Sequence, residues 1–314
     1  MMQTFNATLT PMLTLFMFMI AGFILKKLKV VPRNTATVLS KLENYLIVPA
    51  LIINTFMKYC TVASISEQYR LILYSLIALA LTLGIAIPLS KAFENKDAYK
   101  RNIYKYALAF GNFSFMGTAI VPEILGDSAL YDYMLYILPL NFAVYTWGLM
   151  ILIPADEHEH GHLRRLLNPV FVAIFIGAVL GLTGVSKYLP VFLTSTLSGC
   201  ASCMGPLAMI LTGFIIGQYD VVELLKNKKV YAASLLRLLV LPSLFIAVSL
   251  LLGADETTLT MCLFAYATPL GLNTVVFPAA YGGDTSIGAS MAMISHTICV
   301  ISIPLMRALL TLIV

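Results

Sequence analysis

The sequence predicts an all-α membrane protein of ten transmembrane helices arranged as two inverted five-helix repeats. Three observations carry this: an apolar composition, ten apolar runs, and a repeat of half the chain length. Of 314 residues, 60% are hydrophobic and 11% charged, with a mean hydropathy of +0.90. A soluble domain is about 45–50% apolar and about 25% charged, so this chain has too little polar surface to cover a water-soluble globule. At about 20 residues per crossing, the apolar share allows roughly nine or ten helices with short loops and no sizeable soluble domain. A net charge of +5 does not indicate nucleic acid, because the Lys and Arg residues lie in short loops between apolar runs.

The runs lie near 8–26, 37–58, 70–93, 103–125, 131–154, 168–186, 194–218, 230–253, 257–281 and 286–312. Barrel strands would alternate in pieces of about ten residues, whereas Val230 to Leu252 is continuously apolar, so the runs are helices. Lys26, Lys27, Lys29, Arg33 and Lys41 lie around the first loop, and Lys91, Lys96, Lys100, Arg101 and Lys105 around the third. Arg164 and Arg165 lie in the fifth, and Lys226, Lys228 and Lys229 in the seventh. These are fifteen of the twenty basic residues, all on one side. The positive-inside rule makes that side cytoplasmic and puts both termini outside. No basic region precedes the first run, so it is expected to stay as a helix of the cytoplasmic membrane. Five scattered cysteines form no disulfide framework.

Seven prolines precede residue 157 and seven follow it. Pro11 and Pro169, Pro32 and Pro190, Pro49 and Pro206, and Pro122 and Pro278 are separated by 156 to 158 residues. Chance would place about one such pair at these offsets, not four. Neighbours agree: Thr118, Pro122, Gly126 and Asp127 match Thr274, Pro278, Gly282 and Asp284. Residues 1–156 and 157–314 are thus expected to be two copies. Each holds an odd number of helices, so the second enters the membrane upside down. Such repeats are the architecture of secondary transporters, whose sites lie at corresponding helices interrupted by Gly and Pro. Segments four (Ala109 to Pro122) and nine (Ala267 to Pro278) fit. Broken there, they would turn unpaired N–H groups and positive dipole ends into a cavity, which suits a carboxylate.

At these two segments the sequence resembles the auxin efflux carrier family, which holds plant auxin exporters and bacterial permeases for malonate, malate and similar acids. The resemblance spans essentially the whole chain. It is carried by Gly111-Asn112 through Gly117, Asn168-Pro169, Pro206 with Gly213 and Gly217, Pro242, and Pro269 through Asn273 with Tyr281-Gly282. It implies ten helices in two inverted repeats, a scaffold and a transport domain, and interrupted helices four and nine crossing at the substrate site. Two positions depart from the family pattern: Ser114 stands where Gly is usual and Ala119 where Pro is usual. The break in segment four is therefore expected lower, at Pro122 or Gly117. The short loop between segments five and six places the chain nearer the bacterial permeases.

Asn112, Ser114, Thr118, Thr268, Asn273 and Thr274, with Gly117, Pro269 and Gly271 shaping the breaks, are the candidate substrate ligands. Their side chains could instead satisfy backbone groups freed by the breaks. Arg237, inside an apolar run, is a candidate counter-ion to an acid, or it snorkels to the surface. His296 and Glu123 are candidate proton carriers; His296 is also a candidate neutral packing residue, and Glu123 equally a candidate exposed residue at the outer end of segment four. Histidines 158, 160 and 162 lie in a short loop and define no tetrahedral metal site. The Cys200 to Cys203 spacing reads as close helix packing, and the Tyr and Phe excess as interfacial belt and lipid-facing surface. No cofactor, metal or enzyme chemistry is expected. The expected partners are the lipid bilayer, a small mono- or dicarboxylate, and a proton as coupling ion, with a homodimer open. The rival readings are a sodium-coupled carrier of the bile-acid symporter type and a membrane sensor that binds without transport.

Overall fold

The fold is that of a computed structural model, which describes residues 1–32, 34–152, 168–280 and 284–314. Arg33, Arg164, Arg165, the histidine-rich loop and Tyr281-Gly282 lie outside the described residues. Within them the chain is helical, with no strand and one isolated antiparallel bridge. In order the helices are α1 (Met2–Lys27), α2 (Thr35–Tyr59), α3 (Val62–Phe93), α4 (Ala98–Ala109), α5 (Phe113–Leu125), α6 (Asp127–Leu152) and α7 (Pro169–Thr183). They continue as α8 (Val191–Ile216), α9 (Val221–Leu225), α10 (Lys228–Leu251), α11 (Glu256–Tyr266), α12 (Asn273–Ala280) and α13 (Ser286–Leu310). Seven of these, α1, α2, α3, α6, α8, α10 and α13, are long and apolar enough to cross a bilayer.

Polar side chains fix where several helices begin. Asp97 accepts from the Tyr99 and Lys100 amides at the start of α4, and Asp255 accepts from Thr258 N at the start of α11. Asn168 accepts from Val170 N with Pro169 at the first helical position of α7, where its missing N–H costs nothing. A reciprocal Thr61–Ser64 box opens α3, nine residues before the apolar run that signals it. Each cap satisfies an amide that helix geometry leaves unpaired.

Small residues set the closest helix crossings. In α1 and α8, a Cβ on Gly22 would collide with the Ile210 carbonyl, and one on Gly213 with the Met19 carbonyl. In α7, a Cβ on Gly177 would stand 2.7 Å from Phe56 Cβ of α2. The half of α8 that holds Cys200 packs on the second half of α2 with Ala201 buried, though nothing lies within 4 Å of a Cβ on Gly199 and Cys203 is exposed.

One expectation is corrected. The break in segment four lies above both Gly117 and Pro122: α4 ends at Ala109, Phe110 is extended (φ −124°, ψ 109°), and a π turn over Phe113–Gly117 leads into α5. Pro122 sits inside the helix that follows. Its ring needs only one missing donor, so the stretch without side-chain bulk at Gly111 takes the break instead. The aromatic residues divide between surface and core: 18 of the 32 described Tyr and Phe are partly or fully exposed and 14 are buried. Tyr104, Tyr106, Tyr131, Tyr133, Tyr136 and Tyr266 are buried together with Phe110, Phe113, Phe245 and Phe264, because the bundle's centre is filled by large rings around the two broken helices.

Candidate functional site

The breaks in segments four and nine meet. Gly111 pairs with Leu270 in an antiparallel bridge, and Asn112 N donates to the Pro269 carbonyl at 2.7 Å. Each break thus satisfies part of the backbone that the other frees, which a bilayer interior demands. Leu270 N donates to Ser295 Oγ of α13 at 3.0 Å, fixing the second break from outside. Glycine is required at 111, where a Cβ would stand 2.7 Å from both Arg237 Nη2 and Thr268 Oγ1.

Arg237, in a π turn of α10, is fully buried. Its Nη1 donates to the Leu108 and Ala109 carbonyls at 3.2 and 3.3 Å, its Nη2 to the Ala265 carbonyl at 3.2 Å, and its guanidinium lies 5.1 Å from the Tyr266 ring centre. Those carbonyls are the C-terminal ends of α4 and α11, where the helix dipole is negative. One forked cation therefore closes both first half-helices, and it does not reach the membrane surface. It borders neither cavity described below.

His296 Nδ1 lies 2.7 Å from the Ala292 carbonyl and Nε2 lies 3.1 Å from Asn112 Nδ2. A carbonyl only accepts, so Nδ1 carries the proton and Nε2 accepts from the Asn112 amide. The ring is neutral and fully bonded. The hydroxyls of Thr118, Thr268 and Thr274 all donate to backbone carbonyls of their own segments, Ser114 and Phe115, Ala265, and Gly271. Gly117 leaves room for the Tyr133 hydroxyl, which donates to the Phe113 carbonyl at 2.9 Å, and Gly271 packs against the Phe110 carbonyl.

Two cavities adjoin the crossing. The larger, about 430 Å³, lies between α1, α2, α5 and α8, with the exposed Lys58, Glu123 and Asp127 at its rim and Thr118 and Leu51 at its floor. Its size falls in the range of small-ligand sites. The smaller, about 40 Å³, is bordered by Asn44, Ser114, Thr118, Asn141, Tyr145 and Asn273, with apolar residues of α2, α6 and α7. It admits one or two waters. Leu51 and Thr118 border both, so they form the wall between them. Ser114 Oγ donates to Asn141 Oδ1 at 2.8 Å, and Asn273 Nδ2 to Tyr106 Oη at 2.8 Å.

Of the sequence candidates, Ser114, Thr118 and Asn273 border the small cavity, and Thr118 and Glu123 the large one. Asn112, Gly117, Thr268, Pro269, Gly271, Thr274, Arg237 and His296 build the crossing without bordering either. Asn44, Asn141 and Lys58 were not singled out from sequence. Asn141 stands two residues after Pro139, and its only sequence signal is a lone amide within the apolar run of segment five.

A profile described as "Membrane transport protein" matches residues 7–307. The chain belongs to this family, that of the auxin efflux carriers. No curated protein matches it. This membrane transport protein is accordingly an integral membrane protein.

Proposed function

We propose that this protein is a secondary carrier of a small organic anion, a mono- or dicarboxylate, working by alternating access at the crossing. The carrying observation is that the two breaks pair with each other while one protein cation closes the negative ends that meet there. No side chain caps the turn that opens at Phe113, so its positive end is left for a ligand. Asn141 and Asn273 keep amide N–H groups beside it, Ser114 Oγ orients the Asn141 amide by donating to its Oδ1, and no carboxylate borders the small cavity among the described residues.

Ten membrane segments in two inverted repeats, residues 1–156 and 157–314, underlie this reading. Helices α1, α2, α3, α4 and α6 would correspond to α7, α8, α10, α11 and α13. Under that exchange the α1–α8 contact becomes the α7–α2 contact, α3–α4 becomes α10–α11, and α3–α6 becomes α10–α13, and all of these pairs pack together. The caps Asp97 and Asp255 are separated by 158 residues, like the prolines. With the basic loops inside, the large cavity faces outward and the termini lie outside. The small cavity is too small for an acid, so the described state is closed over the crossing, and an acid reaches it when the Leu51–Thr118 wall opens.

The test is exchange of labelled malonate or malate across proteoliposomes. Exchange that disappears on Asn273→Ala and Asn112→Ala, with both variants folded, is the expected result. Full exchange in both variants would remove the crossing as the site, and binding without any flux would favour a sensor.

A further inference from the structure

A buried acid outside the crossing has no partner. Glu43 is 0% exposed, and neither carboxyl oxygen has a hydrogen-bond partner among the described residues. It opens a π turn, Glu43–Ile47, within α2. This turn packs on both halves of α8, which is itself interrupted between Ser202 and Met204, and on α7. Its own segment adds only the exposed Tyr45. The flanking parts of α2 contribute the exposed Lys41 and Lys58, with Tyr59. From α8 come Cys200 and Cys203, while α7 and the second half of α8 carry no titratable side chain. None of these bonds to the carboxyl.

An ionised carboxylate cannot remain in such a place, because several kcal/mol of lost hydration would go uncompensated. In the described state Glu43 therefore holds its proton. An unpaired acid in a membrane span is a mark of proton pathways, and π turns gather at functional positions. The next residue, Asn44, borders the small cavity at the crossing, so the same turn carries the acid and part of that cavity's wall. If the bulge is lost, one side of α2 rotates by about 100° relative to the other. Such a step would move Glu43 between the sealed contact with α8 and water.

We propose that Glu43 is the proton-binding residue that couples this carrier to the proton gradient. The inference rests on the carrier reading above. One proton joins a Glu43 carboxyl oxygen from water on one side, travels with the acid anion, and returns to water on the other as the carboxylate is hydrated. No bond other than this O–H is made or broken. A metal cation would need several oxygen ligands, and no group of three His, Cys, Asp or Glu side chains gathers anywhere among the described residues.

The test uses wild type, Glu43→Gln and Glu43→Asp in malonate- or malate-loaded proteoliposomes. It reads one-for-one exchange at equal pH, net accumulation under a pH gradient, and proton movement by an internal dye. Gln copies the shape of the protonated acid, so Glu43→Gln should keep exchange while its gradient-driven accumulation and proton movement fall to those of protein-free liposomes. Glu43→Asp should keep coupling with a shifted pH midpoint. Undiminished proton-driven accumulation in Glu43→Gln, or wild-type accumulation driven by sodium and not by pH, would overturn the proposal. If wild type exchanges no acid at all, the carrier reading falls separately. Infrared titration of the same samples then decides the proton site: a protonated-carboxyl band missing only from Glu43→Gln supports it, and its absence from wild type overturns it.

Discussion

At the crossing, the ends of α4 and α11 are closed by the Arg237 guanidinium, which donates to three of their last carbonyls, whereas no side chain caps the turn that opens α5 at Phe113. The negative ends are neutralised permanently by the protein, and the positive end is left to whatever binds. On the proposed reading, the difference leaves the uncapped positive end, and not Arg237, as the place for an acid. On that reading Arg237 would not meet the acid; it would remove the negative field that would otherwise repel it.

The largest effect should follow from breaking the closed end. Arg237→Gln leaves buried carbonyls unpaired and is expected to lower stability by about 3–5 kcal/mol, read as thermal unfolding in detergent. Arg237→Lys should lose less, because an ammonium keeps the charge but not the fork. Unchanged unfolding in both would break the comparison. Gly111→Ala pushes a methyl against Arg237 and Thr268 and should cost about 1–3 kcal/mol in the same assay.

Changes at the open end should act on transport more than on folding. Ser114→Ala removes the hydroxyl that holds Asn141 Oδ1 beside the uncapped turn, for an expected loss of about 1 kcal/mol in apparent acid affinity, roughly fivefold. Smallest of all, Lys58→Gln at the rim of the large cavity should slow uptake at low salt and leave it unchanged at high salt, because a rim charge steers through screened field. A salt-independent loss would mean that Lys58 touches the acid directly.

Much of this was legible in the sequence. Apolar runs separated by basic loops located the helices, because hydropathy needs only local composition. The Gly, Pro and Asn content of segments four and nine marked both breaks. What was not legible depends on distance through space. Arg237 meets carbonyls 128 and 129 residues away, so sequence offered only counter-ion or snorkelling. Glu43 lies inside the second apolar run beside Lys41 and Asn44 with nothing local to mark it, and only packing against α7 and α8 turns it into a buried acid. The break lies at Gly111 because the bridge to Leu270, and not the local proline, compensates the lost helix bonds.

The most direct measurement is the position of a bound acid, by electron cryo-microscopy of the protein saturated with malonate. The account predicts density for a carboxylate at the start of the Phe113 turn, between Ser114, Asn141 and Asn273, with Arg237 still on its three carbonyls. Density for the acid against the Arg237 guanidinium, with those carbonyl bonds broken, would contradict it.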